Sequence, residues 1–274
     1  MNRRLSLLAS FMIATALLAS SKVEAANPDL ENWTSGAMAT RIGDNDSEFR
    51  FNIAGGTGFG PDYLGSDDYK MHMLPLIDIE WRGAYFLSTQ RGLGLNLIRG
   101  RQTKAGPRIT RAAGRKSSLN TDLTGMTDLE ASYELGLFGQ HFNGPWRFDA
   151  DIRYGLNTSG HHGIIASAGV ALGGRLSEKS SLIVGGKFHW ANSDYMIKNF
   201  GVTSSEAQSG RAAYTPTGGM RDFGGYASVI YNISDQFYLT IDGRGDFLAS
   251  QVANSPIVKA DQQYYLGMML GLRF

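Results

Sequence analysis

From residue 49 to the C-terminus, apolar and polar residues alternate with a period of two, which is the pattern of half-buried β-strands. In the clearest segment, 146–154, one face is charged and the opposite face is apolar. The apolar face consists of Trp146, Phe148, Ala150, Ile152 and Tyr154. A soluble β-sandwich can alternate in this way, but it does not explain why the apolar face begins and ends with aromatic residues. In a membrane barrel the apolar face meets lipid and aromatic residues lie at both interfaces, so the pattern favours a barrel.

The same alternation predicts an even number of strands. The predicted segments are 49–59, 71–82, 84–90, 92–99, 105–113, 128–140, 146–155, 162–173, 181–191, 222–232, 236–248 and 263–274. Bacterial barrels have even strand numbers, and both termini then lie on the periplasmic side. We therefore predict an all-β fold: a transmembrane antiparallel up-and-down β-barrel of about 12 strands (10–12) with periplasmic N- and C-termini.

The connections between these segments alternate in length, which supports the barrel. Every second connection is short, and these are predicted to be periplasmic turns, at 83, 100–104, 141–145, 174–180 and 233–236. Longer connections, rich in Gly, Ser and charge, are predicted to be extracellular loops, at 60–70, 114–127, 192–221 and 249–262. The link near Arg91 is very short, so either it is a tight outer hairpin or the strand boundaries around it are wrong.

The C-terminal segment has the form of an outer-membrane assembly signal. One face is apolar and ends in the terminal aromatic residue. This face consists of Tyr264, Leu266, Met268, Leu270, Leu272 and Phe274. Because strand edges cannot leave N–H and C=O groups unpaired in lipid, we expect this last strand to pair with the first.

The N-terminal residues have the features of a secretory signal peptide. Arg3 and Arg4 are followed by an apolar run over 5–19 and by the small-residue site Val23-Glu24-Ala25. The apolar run is shorter than the roughly 20 residues that a spanning helix needs. We predict a signal peptide at 1–25, a periplasmic leader at 26–48 and an outer-membrane barrel at 49–274, in the cell outer membrane of a Gram-negative bacterium.

Composition excludes several other classes of protein. The net charge is +1, which does not suit a general nucleic-acid binder, and the chain contains no Cys. A disulfide framework, a thiolate metal site and a Cys nucleophile are therefore excluded. His161 and His162 are adjacent and would point to opposite faces of a strand, so they do not predict a metal site. We expect no catalytic, metal or cofactor site.

Charged residues fall on the inward face of the predicted strands and form a candidate lumen network. The residues assigned to it are Arg50, Asp78, Glu80, Arg82, Glu130, Glu134, Arg147, Asp149, Asp151, Arg153, Lys187, Asp242 and Arg244, with Asp246 beside them. Both signs are mixed, so the lining either pairs across the barrel and plugs it or surrounds a narrow water-filled pore. The sequence leaves both alternatives open.

A series of short motifs across nearly all of the mature chain resembles a known family. The motifs are Pro-Asp-Tyr-Leu-Gly-Ser-Asp-Asp-Tyr at 61–69, Leu-Pro-Leu at 74–76, Arg-Gly-Leu-Gly at 91–94, Gly-Pro-Arg at 106–108, Asn-Phe-Gly-Val at 199–202, Ser-Pro-Ile-Val at 255–258 and Gly-Leu-Arg-Phe at 271–274. In this order they resemble the MipA/OmpV family, the MltA-interacting proteins of Gram-negative outer membranes.

The resemblance implies a non-enzymatic outer-membrane protein without a cofactor. Members are described as scaffolds that join a lytic transglycosylase to a murein synthase, as adhesins, or as proteins linked to antibiotic susceptibility. Three functions stay open: a scaffold for peptidoglycan (murein) synthesis and hydrolysis, a small-solute channel or uptake barrel, and a surface adhesin. Outer-membrane lipid and lipopolysaccharide are expected contacts in each case. The predicted turns are short, so a scaffold would need the acidic leader for docking, through Asp29, Glu31, Trp33, Asp44 and Asp46.

Overall fold

The protein is a closed antiparallel β-barrel, seen in a computed structural model that describes residues 48–208 and 210–274. The strands are β1 (Phe49–Pro61), β2 (Tyr69–Trp81), β3 (Tyr85–Ser88), β4 (Gly92–Leu95), β5 (Ile98–Arg99), β6 (Thr103–Ala112), β7 (Ser132–Asn143), β8 (Trp146–Gly155), β9 (Ile164–Arg175), β10 (Ser180–Ala191), β11 (Gly219–Asn232), β12 (Phe237–Leu248) and β13 (Gln262–Arg273). Strands that are neighbours in sequence pair with each other, except β4 and β5, and β1 pairs with β13. Because β4 and β5 both pair with β6 and occupy one position in the wall, the barrel has 12 strand positions. The prediction of an all-β antiparallel barrel of about 12 strands is confirmed.

The strand predicted at 92–99 is interrupted, and the neighbouring strand explains the break. Pairing of β4 with β6 ends at Arg108, next to Pro107, and resumes in β5. Proline has no N–H to donate to a ladder, so the hydrogen-bond pattern cannot continue past it unchanged. At the break Asn96 is buried, and its Nδ2 donates to the carbonyl oxygen of Gly83 at 2.9 Å.

The two ends of the barrel differ in the length of their connections. At one end, called the short-turn end, the connections span 82–84, 100–102, 144–145, 176–179 and 233–236. At the other, called the loop end, they span 62–68, 89–91, 113–131, 156–163, 192–218 and 249–261. The link near Arg91 is thus a tight turn at the loop end. The start of β1 and the C-terminal Phe274 meet at the short-turn end, where Phe274 N donates to the carbonyl oxygen of Phe51 at 2.9 Å.

The outer surface has an apolar belt between two aromatic girdles. Near the short-turn end the exposed aromatic residues are Phe49, Trp81, Tyr85, Trp146, Phe148, Tyr231, Phe237 and Phe274. Near the loop end they are Phe59, Tyr133, Tyr154, Phe188, Trp190, Phe223, Phe247 and Tyr264. Between them lie exposed aliphatic side chains such as Ile53, Leu137 and Ile241. This is the surface of an outer-membrane barrel, in which the belt meets hydrocarbon and the girdles meet the interfaces.

The last strand presents its apolar face to lipid. Side chains of Tyr264, Leu266, Met268 and Leu270 are exposed, while the alternate residues Tyr265 and Met269 are buried in the lumen. Leu272 and Phe274 continue the outward row. The placement agrees with the amphipathic pattern, and recognition of this strand by an assembly machinery stays a prediction.

The connections at the loop end fold over the barrel and form what we call the loop cap, residues 62–68, 113–131, 192–208, 210–218 and 249–261. The cap contains two helices, α1 (Ser193–Phe200) and α2 (Ser250–Ala253), in the segments 192–221 and 249–262 that were predicted only as loops. Buried apolar residues hold it in two clusters. One consists of Ile165, Ala191, Tyr195, Met196, Phe200, Leu248 and Val252, and the other of Tyr63, Leu123, Met126, Val202 and Ile257. The cap is therefore packed like a small hydrophobic core.

Candidate functional site in the barrel lumen

Glu80 on β2 is the centre of the first charge cluster in the lumen. Its carboxylate accepts hydrogen bonds from Arg50 on β1 and from Nζ of Lys104 on β6, the latter at 2.7 Å. Two residues earlier, Asp78 accepts a bidentate pair from Arg91 at 3.0 and 3.1 Å. Two carboxylates therefore bind three cations that come from separate parts of the wall, and Arg91 enters from the turn at the loop end.

A second cluster lies on the wall formed by β6, β7 and β8. Oε2 of Glu134 accepts from Nη1 of Arg153 at 3.1 Å, and its Oε1 lies 3.1 Å from Nε2 of His161. Arg153 also pairs with Asp151 at 2.8 Å, and Asp151 pairs with Arg108 at 3.2 Å. The two carboxylates are linked through one guanidinium, so these charges form a connected network.

The third cluster lies below the loop cap and depends on a β-bulge. His189 Nδ1 is 2.6 Å from Asp222, which also binds the neighbouring Arg221. Adjacent strand residues normally face opposite sides, but the register of β10 and β11 shifts between His189 and Trp190, so Arg221 turns inward as well. Arg221 then donates to the hydroxyl of Tyr195 on α1 at 2.8 Å, joining the cap to the lumen. Counting with a strict period of two missed Arg221, and the adjacent Arg-Asp pair was its only sequence clue.

The remaining lumen residues on β10 and β12 are inside the barrel. Arg244 donates from Nε to both oxygens of Asp246 at 2.8 and 2.7 Å, and the two residues share a face because they are two positions apart. Asp242 is buried and accepts from the hydroxyl of Ser228. Lys187 lines the central cavity described below.

Two residues assigned to the lumen lie elsewhere. Arg82 follows the end of β2 in a turn, has a φ of 54°, and pairs at the surface with Glu48 at 3.3 Å. Glu130 is exposed in the loop before β7, which begins at Ser132 and not at the predicted residue 128. In both cases the predicted alternation continued past the end of the strand. Side chains alternate between the inner and the outer face only where the backbone is in the β conformation.

Two cavities meet at Arg147 on β8. The larger, of about 640 Å³, lies at the short-turn end and is called the vestibule; the smaller, of about 100 Å³, lies in the middle of the lumen. Arg147 lines both, with Nη2 donating to the hydroxyl of Tyr226 at 2.6 Å and Nε 3.2 Å from Asp149. The guanidinium is therefore held between the two cavities.

Polar contacts tie the segments of the loop cap together. Arg211 donates to the carbonyl oxygens of Asp122 and Thr124 at 3.1 and 2.9 Å, which joins 192–218 to 113–131. Glu206 accepts from the backbone N–H groups of Thr127 at 2.8 Å and Thr203 at 3.0 Å. Partial burial acts to raise the pKa of Glu206, but these hydrogen bonds outweigh it and lower the pKa to about 2.

The leader residues proposed for docking lie outside the described residues. They are Asp29, Glu31, Trp33, Asp44 and Asp46. Within 48–208 and 210–274 no group of three or more His, Cys, Asp or Glu residues is arranged to hold a metal ion. Over the same residues, no helix is long and apolar enough to cross a membrane.

Comparison with known families agrees with the motifs. Residues 53–274 match the family described as MltA-interacting protein MipA, which covers nearly the whole barrel. The chain belongs to the MipA family. No curated protein matches the sequence. As a MipA-family barrel, the protein resembles non-enzymatic outer-membrane proteins.

Several solved outer-membrane barrels have a similar shape. The NanC porin is 10% identical with a TM-score of 0.44, covering 80% of this chain and 98% of the porin. An outer-membrane channel from Pseudomonas putida F1 is 11% identical with a TM-score of 0.42, covering 86% and 100%. OmpT of Vibrio cholerae is 9% identical with a TM-score of 0.38, covering 82% and 97%. With identities near 10% and TM-scores below 0.5, these similarities do not indicate a function for this chain.

Proposed function

We propose that this protein is an outer-membrane scaffold that binds murein hydrolysis and synthesis enzymes without catalysing a reaction itself. The observation that carries the proposal is the filled lumen. Ion pairs inside the lumen join side chains from different strands of the wall, and the loop cap covers one end. Barrels plugged in this way are not wide pores, which favours binding at the surface. The family description, MltA-interacting protein, supplies the class of partner.

We infer that the short-turn end faces the periplasm, because bacterial barrels have short periplasmic turns and long outer loops. The signal peptide at 1–25 would direct export, and the leader at 26–48 would then join β1 at the short-turn end. Turns of two to four residues offer little area for a protein interface, which normally buries about 800 Å² per partner. The leader is therefore the proposed docking segment, with its acidic residues and Trp33 as contacts.

Deletion of 27–47 tests this assignment. The tagged full-length protein and the deletion variant are cross-linked in cells and recovered from detergent-solubilised envelopes. We expect lytic transglycosylases and murein synthases to be enriched with the full-length protein over an unrelated barrel, and the deletion to remove most of that enrichment.

The control keeps the leader and changes its chemistry. In one variant, Asp29, Glu31, Asp44 and Asp46 are replaced by Asn and Gln, which keeps the length of the segment. If this variant fails to recover the enzymes, docking depends on the negative charge of the leader. Barrel assembly is checked for every variant by surface labelling. Equal enzyme recovery with and without 27–47 would exclude the leader as the docking segment. Absence of enrichment with every variant, including the full-length protein, would refute the scaffold function.

A small-solute pathway is the second candidate, favoured by the two cavities that meet at Arg147. A solute entering the vestibule would reach the central cavity by displacing this guanidinium from Tyr226. Passage would further require the loop cap to open.

A further inference from the structure

The vestibule is large enough for an organic ligand and is basic. Its volume of about 640 Å³ lies within the range of small-molecule pockets, roughly 300–1,000 Å³. The charged side chains that line it are Arg147, Arg175, Arg273 and Asp235. Arg147 is already paired with Asp149, so the excess comes from Arg175 and Arg273, which outnumber the carboxylate of Asp235 by one charge.

The two arginines at the mouth, Arg273 and Arg175, are held by neutral acceptors. Arg273 donates from Nη2 to the side-chain oxygen of Asn232 at 2.7 Å and from Nε to the backbone oxygen of Asp235 at 3.1 Å. Arg175 donates to the backbone oxygen of Glu178 at 3.1 Å. Among residues 48–208 and 210–274, neither arginine forms an ion pair. These neutral acceptors orient the guanidinium groups but leave their charge available to a ligand.

The charges continue inward, and apolar residues form part of the wall between them. Arg147 is buried at the inner end, where Tyr226 and Asp149 hold its guanidinium in a fixed direction. A preorganised cation binds an anion at a lower entropic cost than a mobile one. Phe142 and Ile183 are among the apolar residues of the lining, so an organic group can pack beside the charge.

We propose that the vestibule binds a small organic anion, a solute of about sugar size that carries a carboxylate or a phosphate group. Guanidinium groups bind both anions through paired hydrogen bonds, and this planar geometry favours them over a simple halide. The inference is independent of the scaffold function, because it concerns the inside of the barrel and not the leader.

Isothermal titration of the full-length, detergent-purified barrel tests the proposal. The probes are glucuronate, glucose 6-phosphate and glucose, which share a ring but differ in charge. We expect one or both anions to bind, with an affinity that falls as salt is added, and the stronger of the two identifies the carboxylate or the phosphate as the recognised group. If neither anion binds better than glucose, the proposal is refuted.

Four variants connect the binding to the vestibule. Arg273→Gln and Arg175→Gln are each expected to weaken anion binding about tenfold, the size of a lost charged hydrogen bond. Asp235→Asn removes the carboxylate that lines the vestibule and is expected to strengthen binding severalfold. Arg99→Gln removes an exposed arginine from the same end but outside the cavity, and binding should not change. Equal loss in Arg99→Gln and Arg273→Gln would overturn the assignment, and so would an unchanged affinity in Arg273→Gln and Arg175→Gln.

Discussion

At the residue scale, the charge clusters of the lumen depend on matching a buried carboxylate to one or more cations. Glu80, Glu134 and Asp222 are buried, and each is bound by an arginine or a lysine from another position in the wall. Removing one partner from such a group leaves an uncompensated charge, which costs more than the intact pair contributes. Pairing therefore explains how a barrel of this size holds so many charges inside a membrane.

Replacement of Glu80 tests this explanation. Glu80→Gln keeps the shape of the side chain but leaves Lys104 and Arg50 without their carboxylate, so we expect the free energy of unfolding to fall by about 3 kcal/mol. Urea unfolding in lipid vesicles measures the loss. The matched control is Glu130→Gln, an exposed carboxylate in a loop, for which a change within about 0.5 kcal/mol is expected. Equal effects of the two substitutions would contradict the pairing argument.

At the element scale, local irregularities determine which side chains meet. The bulge at His189 turns Arg221 inward, and Pro107 divides one strand position into β4 and β5. In the loop cap, Arg211 and Glu206 hold segment 192–218 by hydrogen bonds to segment 113–131. The order of the loop cap therefore depends on contacts between segments that are far apart in sequence.

Acidification is expected to weaken the contact that Glu206 makes between segments 192–218 and 113–131. The ordinary pKa of Glu206 is 4.5 and its pKa in the folded cap is about 2, so the folded cap favours the charged form. Its stabilising effect is present above about pH 4.5 and is lost as the pH falls through 2. Hydrogen exchange at the amides of Thr127 and Thr203, corrected for the intrinsic effect of pH, should accelerate over that interval.

A neutral side chain at the same position separates this effect from general acid unfolding. Glu206→Gln should exchange faster than the wild type at neutral pH and show little further acceleration on acidification. Glu178→Gln, an exposed carboxylate at the opposite end, should leave the cap unchanged. A pH profile that is the same in Glu206→Gln and the wild type would exclude Glu206 as the responsible group.

At the scale of the whole molecule, a closed wall surrounds a lumen occupied by side chains. The loop cap covers one end, the vestibule lies at the other, and Arg147 lies between the two cavities. Such an arrangement suits a protein that acts at its surfaces or binds a solute from one side. It does not suit a wide pore, whose interior is filled with water.

Planar-bilayer recording distinguishes these alternatives. We expect the wild-type barrel to show no stepwise conductance in concentrated KCl, because charge clusters and the cap obstruct the path of ions. A water-filled porin reconstituted in the same lipid is the positive control. Regular conductance steps from the wild type would instead favour the solute channel over the scaffold.

The amino-acid sequence by itself determined the barrel. Alternation along 146–154 and along the last strand fixed which side chains meet lipid, since successive strand residues must face opposite sides. Closure then followed from the need to pair every strand edge in lipid. For the same reason Asp78, Glu134 and Arg244 could be assigned to the inside from their position alone.

Only the tertiary structure decided how those inward residues combine. The period-two alternation gives the face of the sheet on which a residue lies but not its partner across the lumen. The pairing of Glu80 with Lys104 was therefore not predictable from the sequence. The alternation also fails where a strand ends or bulges, which is why Arg82 and Glu130 were wrongly assigned and Arg221 was missed. The loop cap and the vestibule arise from contacts between distant segments, and no local pattern encodes such contacts.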